Sequence, residues 1–134
     1  MILKQLSVFL ENRSGQLAAF VRLMAEQKVD LKALSIAESR DYGILRVVVD
    51  DPEGVAALLK KEGWSCKLSE VLAVVVPDEP GSLTRIFSTL AENDISVSYT
   101  YAFYTGVTGQ ARVVLRVADN EKTAAVLKAA RVIE

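Results

Sequence analysis

Apolar and polar positions alternate at the start of the chain. Leu6, Val8 and Leu10 are separated by single, mostly polar residues. Successive side chains of a strand point to opposite faces, so this period of two predicts a half-buried strand over residues 2–10. From Leu17 onwards the apolar spacing changes to three and four residues, which predicts an amphipathic helix.

The pattern then returns to strands and ends in a second helix. Two segments rich in β-branched residues are expected to form strands at residues 31–39 and 44–49, joined by a hairpin turn at Asp41-Tyr42-Gly43. Asp51 before Pro52 predicts a helix start, because Asp caps helices and Pro favours the first helical position. Gly63 marks the end of this helix, and a last strand is expected at residues 65–68.

The whole arrangement occurs twice. The segment Asn12–Leu17 corresponds to Asp78–Leu83, with Gly15 and Gly81 at equivalent places. A helix follows each glycine, and Asp119 opens the second helix of the second copy as Asp51 does in the first. The remaining strands of the second copy are expected at residues 71–76, 96–104 and 111–117, with a short last strand.

The predicted fold class is therefore α+β. The order strand, helix, strand, strand, helix, strand is the ferredoxin-like βαββαβ arrangement, which has an antiparallel sheet with its helices on one face. We expect two such modules in tandem, at residues 1–71 and 72–134.

Charge and composition argue against several classes of function. The chain has sixteen basic and seventeen acidic residues, so no strong positive field attracts a nucleic acid. No apolar run is long enough to span a membrane. The first ten residues lack a signal-peptide pattern and Cys66 is the single cysteine, so we expect a cytoplasmic protein.

The chain contains no histidine. This removes the commonest general base and metal ligand, and with them Ser–His and Cys–His nucleophile pairs and zinc sites of the Cys/His kind. Carboxylates such as Asp50 and Asp51 suit helix caps better than acid–base catalysis. We therefore expect no enzyme, no metal and no cofactor.

The turns that carry Gly15 and Gly81 are the candidate binding segments. Each precedes a helix, where free N–H groups and the helix dipole favour a negative group such as a carboxylate. Neither helix has an acid in its first turn. The alternative is that the glycines only make tight turns and that Asn12 and Asp78 only cap the helices.

These turns resemble those of ACT domains. The shared features are Asn-x-(Ser/Pro)-Gly-x-Leu after an apolar strand, and an amphipathic helix ending in Ala-Glu-x-x-Val/Ile. The stretch from Ala33 to Pro52 is similar to the first half of stand-alone tandem ACT proteins. The resemblance covers nearly the whole chain and implies a regulatory protein that binds a free amino acid between paired modules.

The resemblance also implies a set of ligand-binding residues. In amino-acid-binding members the first residue of the turn contacts the ligand, the turn and helix N–H groups hold its carboxylate, and a polar residue before the second strand reaches it from a neighbouring module. The corresponding residues are Asn12, Arg13, Ser14, Gly15, Gln16, Leu17, Asp30, Asp78, Glu79, Pro80, Gly81, Ser82, Leu83 and Ser96.

The turns depart from the family pattern in two places. Ser14 replaces proline in the first copy, and Asp78 replaces asparagine in the second, so the two sites can differ. A carboxylate at Asp78 or Asp30 favours the ligand's ammonium group, which indicates a zwitterion.

Aromatic residues mark a further surface. Val97, Tyr99, Tyr101 and Phe103 share one face if residues 96–104 form a strand. Val71, Ala73 and Val75 place apolar residues on both faces of this half, which predicts a homodimer.

Three other functions compete with an amino-acid sensor. An RNA-recognition module has the same element order but needs aromatic and basic residues on its central strands. A small enzyme needs a catalytic constellation, which the sequence does not show. The third is a non-catalytic protein-interaction or dimerisation module without a ligand. If the protein is a sensor, we expect it to regulate a metabolic enzyme that is a separate chain, that is, in trans.

Overall fold

Strands and helices alternate along the chain as the sequence pattern predicts. The structure is a computed structural model that describes residues 1–11, 13–38 and 41–134. The elements are β1 (Ile2–Glu11), α1 (Gln16–Glu26), β2 (Ala33–Glu38), β3 (Tyr42–Val48), α2 (Pro52–Lys61), β4 (Cys66–Pro77), α3 (Ser82–Glu92), β5 (Tyr99–Tyr104), β6 (Gln110–Arg116) and α4 (Asn120–Ala129).

Residue contacts divide the chain into two compact units. The first unit is Lys4–Ser69, and the second is Glu70–Glu134 together with Met1–Leu3. Each has antiparallel strands and two helices, which confirms the predicted pair of ferredoxin-like modules. None of the helices in these described ranges is long and apolar enough to cross a lipid bilayer.

In the first unit β3 lies between β2 and β1. Leu6 pairs with Val47 and Val8 with Leu45, and the Phe9 N–H donates to the Ser65 carbonyl at 3.0 Å beside the start of β4. One face of this sheet packs against both helices, which confirms the predicted strand period. The buried residues of this cluster include Leu6, Val8, Leu10, Phe20, Met24, Leu45, Val47, Val55 and Leu59.

In the second unit β6 lies between β4 and β5. Leu72 pairs with Leu115 and Val74 with Val113, while Tyr101 pairs with Val114. The helix-facing residues again form one core. Its buried members are Leu72, Val74, Val76, Ile86, Leu90, Val113, Leu115, Val117 and Leu127.

The structure differs from the predicted strands at several points. β2 begins at Ala33 and not at residue 31, and β5 begins at Tyr99 and not at residue 96. The expected strands 65–68 and 71–76 are one continuous strand, β4, because Ser69 and Glu70 stay extended. Tyr42 and Gly43 belong to β3 and not to the preceding turn. After α4 the described chain forms no strand: Arg131 has φ 56°, and Val132 and Ile133 pack against the second core.

The predicted aromatic face is also shorter than expected. Tyr99, Tyr101 and Phe103 are half-buried and alternate with exposed residues, as the period of two requires. Their pairing places them on the sheet face away from the helices, with Arg112 and Arg116. Val97 precedes β5 and packs against the helix-side core, so it is not part of this face.

Candidate functional site

The two turns that precede α1 and α3 have the same backbone. Gly15 has φ 88° and ψ −10°, and Gly81 has φ 98° and ψ −17°. This left-handed conformation is accessible to glycine and costly for other residues. In each turn the glycine stands directly before the first residue of an 11-residue helix.

These helix starts differ from those of α2 and α4. There Asp51 accepts from the Gly54 N–H at 3.1 Å, and Asp119 accepts from the Lys122 N–H at 3.0 Å. α1 and α3 begin after glycines, which have no capping side chain, and neither helix has an acid in its first turn. In the described part of the chain Asp78 therefore does not cap α3, although capping was the alternative reading of that residue. The Gln16 and Ser82 N–H groups donate back to the Arg13 and Glu79 carbonyls. The next N–H groups of each helix are therefore the candidates for binding an anion.

The charges beside the two turns are opposite. Arg13 in the first turn corresponds to Glu79 in the second. Arg13 Nε lies 3.2 Å from Glu11 Oε2, and both side chains are well exposed. An exposed pair of this kind contributes roughly 0–1 kcal/mol, so the guanidinium is available to a stronger anionic partner. The first turn thus favours a carboxylate more than the second, where Asp78 and Glu79 are adjacent acids.

The residue after each glycine also differs. Gln16 is half-buried, and with its amide oxygen turned towards Arg13 it accepts from Nε at 3.2 Å and from Nη2 at 2.8 Å. Its counterpart Ser82 is buried and donates to the Pro77 carbonyl at 2.6 Å. The Ser82 hydroxyl is therefore occupied within its own turn, whereas Gln16 and Arg13 form a polar surface.

A cavity of about 390 Å³ lies beside the first turn. This is within the range of small-molecule pockets, which begins at roughly 300 Å³. It joins the end of β1, the start of α1, the start of β3 and the loop before β4. The lining residues are Phe9, Leu10, Glu11, Arg13, Gln16, Tyr42, Gly63, Trp64 and Ser65.

Two predicted site residues, Arg13 and Gln16, line this cavity, but its aromatic walls were not predicted. Phe9, Tyr42 and Trp64 come from three separate segments. Strand register brings them together: Glu11 pairs with Tyr42, and Phe9 is bonded to Ser65. Trp64 also contacts Phe20 edge-to-face, with ring centroids 5.8 Å apart.

The other predicted residues lie elsewhere. Ser14, Gly15 and Leu17 are exposed in the first turn and helix start, and Asp78, Glu79, Pro80, Gly81 and Leu83 are exposed in the second. Asp30 and Ser96 lie in exposed loops before β2 and β5 and do not line this cavity. Asn12 lies outside the described residues.

Cys66 is a half-buried thiol at the start of β4. Its Sγ donates to the Ala56 carbonyl at 3.8 Å. Burial raises the pKa of this thiol, and the charge of Lys60 opposes the rise only in part. A raised pKa leaves less of the reactive thiolate near neutral pH, which agrees with a packing role.

Two ferredoxin-like units with equivalent glycine turns define a class of paired domains. The sequence matches the family model of the ACT domain pair over residues 1–133, so the chain belongs to the ACT domain pair family. ACT domains are regulatory modules and not catalytic ones. No curated protein matches the sequence.

Solved structures share this fold. A protein from Bacteroides thetaiotaomicron is 35% identical with a TM-score of 0.88, and the match covers 98% of this chain and 90% of that one. The ligand-free regulatory subunit of aspartate kinase from Thermus thermophilus has 14% identity and a TM-score of 0.66, covering 96% and 89%. The corresponding Thermus flavus subunit has 14% identity and a TM-score of 0.59, covering 96% and 90%.

Proposed function

We propose that the protein is a regulatory sensor that binds a free amino acid at the turn before α1. The observation that supports it most is the charge difference between two otherwise equivalent turns. Both helices begin after a glycine that has no capping side chain, but the first turn has a cation, Arg13, where the second has Glu79. A ligand carboxylate gains from the helix N-terminus and from Arg13 together.

The remaining groups of the cavity suit the rest of an amino acid. The Glu11 carboxylate lines it and is a counter-charge for the ligand's ammonium group. When a zwitterion binds, its carboxylate would pair with Arg13 and its ammonium group with Glu11. These two ion pairs would replace the exposed Arg13–Glu11 pair and would be less exposed to solvent. Phe9, Tyr42 and Trp64 give an apolar wall, so the ligand's side chain should be apolar or aromatic.

The second turn is proposed to be a weaker site. Asp78 and Glu79 repel a carboxylate at the start of α3, and the Ser82 hydroxyl is bonded to Pro77. Asp78 remains suited to an ammonium group. One amino acid should therefore bind strongly per chain, and Asp78→Ala should change its affinity less than a substitution of Arg13.

A thermal-shift screen against the twenty amino acids tests this proposal. A ligand at 100 times its Kd adds about 2.7 kcal/mol to the free energy of unfolding, which raises the Tm by several degrees. Calorimetry on any hit should show that Arg13→Gln weakens binding about tenfold, as expected for a lost charge-assisted hydrogen bond. Arg22→Gln removes the same charge from an exposed position of α1 and should leave the Kd unchanged.

The outcomes separate the sensor from the other candidate function. A selective shift that depends on Arg13 identifies the ligand and the turn. If no amino acid raises the Tm, the sensor proposal is wrong and the protein is better described as an interaction module without a ligand. Equal losses in Arg13→Gln and Arg22→Gln would reject the turn as the site.

Assembly with a second copy is part of the proposed function. Leu34 and Ile36 of β2 are 45% and 49% exposed, although their pairing with Val47 and Leu45 places them on the helix-side face. We expect a second copy of the chain to cover them, and a regulated metabolic enzyme to bind the resulting homodimer. Ile36→Glu should shift the sedimentation coefficient from dimer to monomer, whereas Ala37→Glu should not. A wild-type chain that sediments as a monomer would contradict this.

A further inference from the structure

A second cavity lies in the second unit, away from the glycine turn. Its volume is about 910 Å³, and its lining includes residues 73–77 of β4 and residues at the end of α4. Gly81, Ser82 and Leu83 do not line it. It also shares no lining residue with the cavity beside the first turn, so its ligand is separate from the amino acid proposed above.

Positively charged side chains meet at this cavity from different elements. Arg85 comes from α3, Lys128 from α4 and Arg131 from the segment after α4. Residues 70–134 have eight acidic and six basic side chains, so three of the six basic ones line a single cavity in a unit with an excess of acids. Among the described lining residues, Glu134 is the acidic one.

These cations lack anionic partners in the described part of the chain. The ion pairs found there within 4 Å involve Lys4, Arg13 and Lys32, all in the first unit. Arg85 instead donates from Nη2 to the Arg131 carbonyl at 3.3 Å, which holds its guanidinium at the end of α4. All three side chains are exposed, so their charges are accessible to an anion in the cavity.

The main-chain amino group of Met1 lies beside β4 at this cavity. It donates to the Ala73 carbonyl at 3.1 Å. Its pKa is lowered, first by burial and then by the charges of Lys128 and Arg112. The Arg112 Nε is itself buried without a hydrogen-bond partner, and its guanidinium lies 5.7 Å from the Phe103 ring centre.

Attraction to the helix dipole explains only part of this cluster. Cations near a helix C-terminus are stabilised by its partial negative charge. The last carbonyls of α4, however, already accept main-chain bonds: Arg131 N–H to Lys128 at 2.9 Å and Val132 N–H to Leu127 at 3.0 Å. A dipole of about half a charge does not balance three side-chain cations.

The edge of β4 adds a hydrogen-bond donor. The Ala73 N–H donates to the Met1 carbonyl at 2.7 Å, and N–H groups of alternate residues point to the same edge of a strand. The Val75 N–H therefore points to the same edge of β4 as the Ala73 N–H, and Val75 lines the cavity. The cavity also has an apolar wall beside the cations, formed by Val75, Ala124, Val132 and Ile133.

We propose that this cavity binds a small organic phosphate, with Arg85, Lys128 and Arg131 around the phosphate group and the apolar wall against its organic part. A phosphate dianion matches convergent guanidinium and ammonium groups better than a single carboxylate does. The volume exceeds that of an inorganic anion, which leaves room for the organic part of the ligand. The protein thus has a second small-molecule site. This site prefers anions, whereas the acidic turn before α3 prefers cationic groups.

Phenyl phosphate is a suitable probe because it carries both features. Isothermal titration calorimetry on the full chain at low ionic strength should show saturable binding that is tighter than for inorganic phosphate. Lys128→Gln and Arg131→Gln should each raise the Kd about tenfold, as for one charge-assisted contact. Lys122→Gln removes the same charge from the exposed start of the same helix and should leave the Kd unchanged.

Other outcomes would overturn the proposal. Absence of saturable binding would show that the cations serve the helix end alone. Equal weakening by Lys122→Gln and Lys128→Gln would show a general charge effect without a site. Equal affinities for phenyl phosphate and inorganic phosphate would remove the organic ligand from the proposal. Arg13→Gln should not change phenyl phosphate binding, which separates this test from that of the amino-acid site.

Discussion

Replacing Phe20 with alanine should lower the free energy of unfolding by about 3–5 kcal/mol, the usual cost of removing a buried phenyl group. The Phe20 side chain is fully buried in the core of the first unit. Its ring meets Trp64 at 75° in an edge-to-face contact, which adds roughly 0.5–1.5 kcal/mol beyond burial. Domains are stable by only about 5–15 kcal/mol, so the loss is a large share of the total.

Urea unfolding followed by Trp64 fluorescence measures this effect directly. Trp64 is the single tryptophan, and it contacts the substituted residue. Leu17→Ala is the matched control, because Leu17 lies one turn earlier on α1 and is 38% exposed. It should cost less than about 1 kcal/mol. A Phe20→Ala protein as stable as the Leu17→Ala protein would show that α1 does not pack as described.

Ile86→Ala is the equivalent change in the second unit, with an expected cost of about 2–5 kcal/mol. Ile86 lies 66 positions after Phe20 and is fully buried among Leu72, Leu115 and Leu127. The cost is somewhat lower than for Phe20, because the deleted side chain is smaller and has no aromatic partner. It nevertheless opens a cavity under α3, the helix that the second glycine turn precedes.

Hydrogen exchange detected by mass spectrometry can localise this loss. Peptides from α3, β4 and β6 should exchange faster in Ile86→Ala, since local opening becomes easier as core contacts are removed. Leu83→Ala is the control, because Leu83 is 51% exposed at the corresponding place in α3. Unchanged exchange in the Ile86→Ala protein would be inconsistent with the second core.

Together the four variants compare the two copies at equivalent positions. Buried Phe20 and Ile86 anchor the helices, while exposed Leu17 and Leu83 sit beside the turns. If substitution of the two buried residues lowers the stability and substitution of the exposed leucines does not, a change in ligand affinity caused by Leu17→Ala can be assigned to binding. The same comparison helps to tell whether Arg13→Gln weakens binding by removing a contact or by unfolding α1.

Much of the fold followed from local patterns in the sequence. The period of two around Leu6, Val8 and Leu10 placed β1 and its buried face, because strand geometry alternates side chains regardless of the partner. Asp51, Pro52 and Asp119 placed the starts of α2 and α4, because capping uses atoms three residues apart. Gly15 and Gly81 marked two left-handed turns that the structure shows with nearly the same dihedral angles.

Strand ends were harder to predict from local signals. Ser69 and Glu70 have no strong strand preference, yet they stay extended, and β4 is one strand of 12 residues. Val97 carried the same periodic signal as Tyr99, yet it packs on the helix side. Tertiary contacts override propensity most easily at the ends of elements, where few local bonds hold the backbone.

The sequence by itself determined the repeat, the two glycine turns and the lack of acids in the helices that follow them, since these features depend on residues a few positions apart. Only the tertiary structure brought Phe9, Tyr42 and Trp64 beside Arg13, and Arg85 beside Lys128 and Arg131. Those groupings come from strand register and helix packing, which join residues far apart in the chain. A single sequence specifies such contacts through the sum of many weak interactions, and no local pattern records them.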